Sequence, residues 1–91
     1  MSKNHHIQLS DVWVPSVVAG EKKSELRIND RDYQVGDTVS YEVVFRSAPD
    51  RTYILDKKFQ ITHVLNSNQC KVLEDGYCII SLKEIENEPA G

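Results

Sequence analysis

Basic excess is what this chain most plainly lacks. Its 91 residues hold 11 Lys and Arg against 14 Asp and Glu, a net charge of −3. A protein that grips a long duplex by displacing counterions needs a basic face, and this balance cannot supply a large one. Cysteine is nearly as scarce. Cys70 and Cys78 stand eight positions apart, with neither a second pair nor a regularly spaced histidine couple, so no metal is expected, and no other cofactor. Without an export signal both thiols should be reduced, with Cys78 in the core. No run reaches the roughly 18 apolar residues that cross a membrane. The opening Met1-Ser2-Lys3-Asn4-His5-His6 leads into no apolar stretch of the signal-peptide kind, so the expectation is a cytoplasmic protein with no membrane partner. Internal repeats and low-complexity segments are also missing.

What is present is one domain's worth of core. A chain of this length buries about 60 to 65% of its unfolded surface, so any site must share a single core. Glu84, Glu86 and Glu88 fall in the final eight residues, which leaves residues 1–83 balanced between acids and bases. The expected division is a neutral domain over 1–83 and a frayed acidic end over 84–91.

Alternation sets the elements. His6 to Leu9 can start a sheet. Asp11 is a plausible cap for a short helix with Val12, Trp13, Val17 and Val18 on its apolar face, stopped by Gly20; Pro15 pushes its regular part toward Val14. Glu25 to Asn29 reads as a strand with Leu26 and Ile28 on one face and Glu25, Arg27 and Asn29 on the other. Asp30 to Asp37 is a loop ending in a tight turn at Val35-Gly36. Thr38 to Arg46 alternates through Val39, Tyr41, Val43 and Phe45, Ser47 to Asp50 is a turn cluster, and Lys57 to Leu65 alternates through Phe59, Ile61, His63 and Leu65. Asn66-Ser67-Asn68 marks another turn, and Tyr77 to Leu82 is an apolar run suited to a central strand. Five strands and one helix between the first two give an α+β chain, a small mixed β-barrel or strongly coiled sheet. His63, Trp13 and Tyr77 lie in apolar patterns and read as core.

Charge is densest from Gly20 to Asp37, where nine charged residues of both signs fill eighteen positions. Asp30, Asp32 and Gln34 alternate as in a calcium loop, but the required glycine falls on Val35 and the closing acid on Tyr41, so a capped turn is expected. Within this segment Gly20, Lys22, Glu25 and Arg27 fit G-x-K-x-x-E-x-R, which resembles the ASCH domains of the PUA-like superfamily. His5, the helix ending at Gly20, the run Asn29-Asp30-Arg31-Asp32-Tyr33-Gln34-Val35-Gly36-Asp37 and the strand Asp75-Gly76-Tyr77-Cys78-Ile79-Ile80-Ser81-Leu82 extend the likeness over residues 5–83, toward a small uncharacterised group found in bacteria and phages.

That resemblance implies a PUA-like barrel and RNA or single-stranded nucleotide binding. A cleft for one base or modified nucleoside is then expected beside His5, Lys22, Glu25, Arg27, Asn29, Arg31 and Tyr33. The guanidinium forks and aromatic face suit a base or phosphate. Relatives of the fold that deacetylate acetylated cytidine carry a lysine at the position of Lys22 and a threonine at that of Glu25. An amidohydrolase with Lys22 as base and Glu25 orienting water is therefore the alternative, and the substitution at Glu25 counts against it. A phage accessory module docking on a host protein is a third. A purely structural lattice of Lys22, Glu25 and Arg27 stays open beside all three.

Overall fold

The computed structural model describes residues 2–85. Five strands form one mixed sheet: β1 (Asn4–Ser10), β2 (Ser24–Ile28), β3 (Thr38–Phe45), β4 (Ala48–Asn66) and β5 (Tyr77–Ile85). Their order is β1-β3-β4-β5-β2, with β1 parallel to β3 and every other pair antiparallel. One short helix, α1 (Val14–Val18), lies between β1 and β2 and follows a 3-10 turn over Asp11–Trp13. The sheet curls into a half-barrel, as the strand count and the helix position led one to expect.

Register explains the core. On β1 the inward row His5, Ile7, Leu9 lies opposite Val39, Tyr41, Val43 of β3, and all six are buried. Phe59 and Ile61 of β4 and Cys78, Ile80 and Leu82 of β5 continue the same layer, and Val17 packs onto it from the helix. Cys78 is a core residue, as its strand pattern indicated. Pro15 falls in the first turn of α1, where its missing N–H costs nothing, and Gly20 closes the segment at φ +78°, donating its N–H to the Val17 carbonyl.

Several local expectations need correction. The turn cluster at Ser47 to Asp50 is narrower: the chain reverses between Phe45 and Ala48, which pair, and β4 begins at Ala48. Pairing then jumps to Val44↔Thr52, so Pro49 sits in an irregular stretch where no ladder N–H is needed. His63 is exposed, because pairing passes from Ile61↔Leu82 to His63↔Ser81 and the bulge at Thr62 turns the alternation over. Trp13 stands 52% exposed, since the 3-10 turn rotates it away from the face that buries Val17. Asp11 does not cap; its carboxylate accepts the backbone N–H of Arg46 instead. Glu84 and Ile85 belong to β5, paired with Phe59 and Lys58, while the rest of the expected acidic end lies outside the described residues. No helix is long and apolar enough to cross a membrane among the described residues.

Candidate functional site

β2 is inverted relative to an ordinary amphipathic strand. Its apolar side chains face outward, Leu26 at 60% exposure and Ile28 at 56%, while Glu25 is only 8% exposed. The cause is the antiparallel register with β5, which sets Glu25 opposite Ile80 and Arg27 opposite Cys78. Directly opposed residues share a face. Ile80 and Cys78 point into the half-barrel, so the carboxylate and the guanidinium go with them.

Inside, Glu25 is held from three sides. The Lys22 ammonium donates to its Oε1 at 2.7 Å, the Tyr41 hydroxyl donates to the same oxygen at 3.0 Å, and Arg27 Nε lies 3.5 Å from Oε2. Because β2 and β3 are not neighbours in the sheet, the Tyr41 contact spans the interior. Burial, then the Glu25 charge and hydrogen bond, push the Tyr41 phenol well above its ordinary range. Lys22 also donates to the Ser24 carbonyl at 2.6 Å, an arrangement available because the chain leaves α1 at Gly20 and returns at once into β2.

The two edge strands meet through side chains. Arg27 Nη2 donates to the Gln8 carbonyl of β1, and Arg31 Nη1 donates to the His6 carbonyl at 2.7 Å. These two guanidinium groups bridge the seam of the half-barrel. On one side of Arg27 lies a hollow of about 400 Å³ with Gln8, Phe45, Arg46 and Pro49 on its walls. On the other is a cleft of about 300 Å³ lined by Leu26, Arg27, Ile28, Asp30, Arg31, Tyr33 and Tyr77.

His5 sits apart from this cleft's lining. Its Nε2 is 2.7 Å from Asp37 Oδ2, its ring centroid is 4.7 Å from that of Tyr33, and both His5 and Asp37 are buried. Asp37 also accepts the backbone N–H of Lys3 at 3.0 Å and of Gln34 at 3.1 Å. Burial by itself would raise the Asp37 carboxyl; the Lys3 N–H, the His5 ring and the Gln34 N–H outweigh it and hold the group below its usual value. Asn29 is occupied similarly, donating to Asn66 Oδ1 at 2.9 Å and accepting from the Tyr33 N–H at 3.3 Å. Burial raises the Tyr33 phenol, while Arg31 and Arg27 pull it back and Asp30 pushes it up, so its hydroxyl end feels the cleft's charges.

Residues 4–82 match a family described as a domain of unknown function, DUF3850. The chain belongs to that family. The matched span of this DUF3850 domain starts on the first residue of β1 and ends within β5, so it takes in β1 to β4 whole, the first two thirds of β5 and the whole seam. No curated protein matches it.

Of the residues singled out by sequence, the DUF3850 fold brings Lys22, Glu25 and Arg27 into one cluster and Arg27 and Arg31 into one cleft, whose floor is Tyr33, itself a core residue at 3% exposure rather than an open loop side chain. It places Asn29 and His5 in contacts that pin the 29–37 loop. Glu25 lies beneath the surface and lines neither hollow. Three contributors were missed: Tyr41 beneath Glu25, Asp37 beside His5, and Tyr77 on the cleft wall. For Tyr41 a signal existed, since a tyrosine in a buried row needs a partner for its hydroxyl. Among the described residues no group of three or more His, Cys, Asp or Glu is placed to hold a metal ion.

Proposed function

We propose that this DUF3850 domain is a small RNA- or nucleotide-binding module of the PUA-like kind that takes one unpaired base or modified nucleoside into the cleft between β2, the 29–33 loop and the start of β5. The observation that carries the reading is the lining of that cleft. Two guanidinium groups, Arg27 and Arg31, stand beside the half-buried ring of Tyr77, with the buried Tyr33 beneath them, the Asp30 carboxylate as an acceptor and Leu26 and Ile28 as apolar wall. Donors for a phosphate or a base carbonyl, an acceptor for an amino group and an aromatic face are what an unstacked nucleotide requires. A volume of about 300 Å³ suits one such unit. The neutral body agrees with few phosphate contacts.

The hydrolytic alternative draws less support. Lys22 donates to both Glu25 and Ser24, which fastens its Nζ to those two oxygens, and Glu25, the water-orienting group of that reading, is only 8% exposed and lines neither hollow. The protein-docking reading has one observation in its favour, the exposed Leu26 and Val72 around a groove of about 310 Å³ that Tyr77 also lines.

Amide NMR titration with adenosine and cytidine monophosphates and with short single-stranded RNA tests the proposal. Shifts should concentrate at residues 26–33 and at Tyr77. Arg31→Ala, an exposed substitution that leaves Glu25 and its partners in place, should weaken binding about tenfold, the scale of one charge-assisted hydrogen bond. Millimolar ligand that moves no resonance in these segments would overturn the reading and favour docking of a partner protein.

A further inference from the structure

A second groove, of about 270 Å³, lies between the 3-10 turn, α1 and the chain entering β2, lined by Trp13, Ser16, Glu21, Lys22 and Ser24. Resting on the nucleotide-binding reading above, we propose that this groove is the stacking site for a second, adjacent base, so that the domain grips a single-stranded dinucleotide rather than a lone nucleotide.

Three observations carry it. Trp13 is large, apolar and half exposed, and the core is complete without it, because Val17 fills the helix's buried position. A half-exposed indole offers the broad face on which any base can stack. Second, the groove is coupled to the first cleft through one carboxylate. Lys22 lines the Trp13 groove and Arg27 lines the cleft, and Glu25 holds Lys22 Nζ at 2.7 Å and Arg27 Nε at 3.5 Å. The two cations are no farther apart than these contacts and the carboxylate between them, within the reach of one nucleotide step of an unpaired strand. Third, Lys22 spends two of its ammonium hydrogens on Ser24 and Glu25, which leaves one for the phosphate joining the two bases. Glu21 and the hydroxyls of Ser16 and Ser24 supply acceptors and donors for the edge of the base.

Trp13 is the only tryptophan, so its emission reports the groove directly. The experiment compares AMP with the RNA dinucleotide ApA on the intact protein, following tryptophan fluorescence and, in parallel, calorimetric affinity. ApA is expected to bind about tenfold more tightly than AMP, the scale of one stacked base, and to quench Trp13 saturably, whereas AMP fills the Arg31 cleft without quenching. Trp13→Ala should bring ApA down to the affinity of AMP and leave AMP unchanged, while Trp13→Phe keeps most of the gain. Equal affinities with unchanged emission, or a Trp13→Ala protein that still prefers ApA, would overturn the second site and leave the single-base reading standing. If AMP binds and is insensitive to Arg31→Ala, the first cleft is wrong and the dinucleotide proposal falls with it; the same holds if neither compound binds.

Discussion

Glu25→Ala should destabilise the domain by about 3 kcal/mol, measured as the shift in a urea unfolding curve. Removing one member of a buried ion cluster is costly because the partners stay behind unpaired, commonly 3 to 5 kcal/mol. Here the lower end applies, since Lys22 and Arg27 each keep about a quarter of their side chains in contact with water (22% and 27%) and can be rehydrated in part. Tyr41 cannot. Its hydroxyl is buried and gives its proton to Glu25, so Tyr41→Phe should cost about 1.5 kcal/mol by itself. In the double variant the two losses should fall short of their sum, because both remove the same bond. A chain of this size has roughly 5 to 10 kcal/mol in total, which makes the Glu25 change readily visible. Alkaline behaviour follows from the same pair. The folded phenol is raised, so its contribution is complete below the unfolded tyrosine value of about 10 and is lost as the pH climbs above it. Alkaline unfolding should therefore move to higher pH in Tyr41→Phe relative to that variant's own neutral-pH stability. A Glu25→Ala protein within about 0.5 kcal/mol of the wild type would show that the cluster is not what ties β2 to β3.

How much of this was legible in the sequence depends on the distance over which each feature is decided. Alternation is local, and it located β1, β2, the buried row of β3 and the second half of β4, whereas the first half of β4, from Ala48 to Asp56, was not legible that way and β5 showed only as an apolar run whose one-sided burial its pairing decides. The short helix and its stop were local too, fixed by Pro15 and Gly20. Facing is less local. That Glu25 and Arg27 share a face follows from the period of two, but that this face is the inner one depends on pairing with Ile80 and Cys78, more than fifty residues away. Bulges defeat alternation altogether: one extra residue at Thr62 carries His63 to the surface although the residues around it look like an unbroken strand. Partners across the barrel are least legible of all. Tyr41 meets Glu25 only because the sheet curls, and Asp37 reaches His5 only because the loop after β2 returns beneath β1. The motif positions told where charge would gather; the register told which charges are buried.

Asp37→Ala is expected to be at least as damaging as the Glu25 change, about 3 to 4 kcal/mol, and its pH dependence separates it from simple loss of packing. One carboxylate serves three donors, the Lys3 N–H, the Gln34 N–H and the His5 ring, and thereby fastens the N-terminal segment and β1 to the turn that enters β3. Gly36 completes that turn at φ +96°, giving its N–H to Ile61, so little slack exists for another acceptor to move in. Alanine leaves the buried His5 ring and two part-buried backbone N–H groups without that partner, and a buried donor left unpaired costs about 1 to 3 kcal/mol. The folded carboxyl lies below its ordinary value, so its stabilisation is present above the unfolded aspartate value of about 3.9 and is lost as the pH falls through the folded value. Unfolding free energies measured from pH 7 to pH 2 should thus show a gap between wild type and Asp37→Asn that is widest above about pH 5 and closes toward acid, because protonation does to the wild type what the amide has already done to the variant. A gap that stays constant over the whole range would mean that Asp37 holds the loop through shape alone, with its charge contributing nothing to the joint.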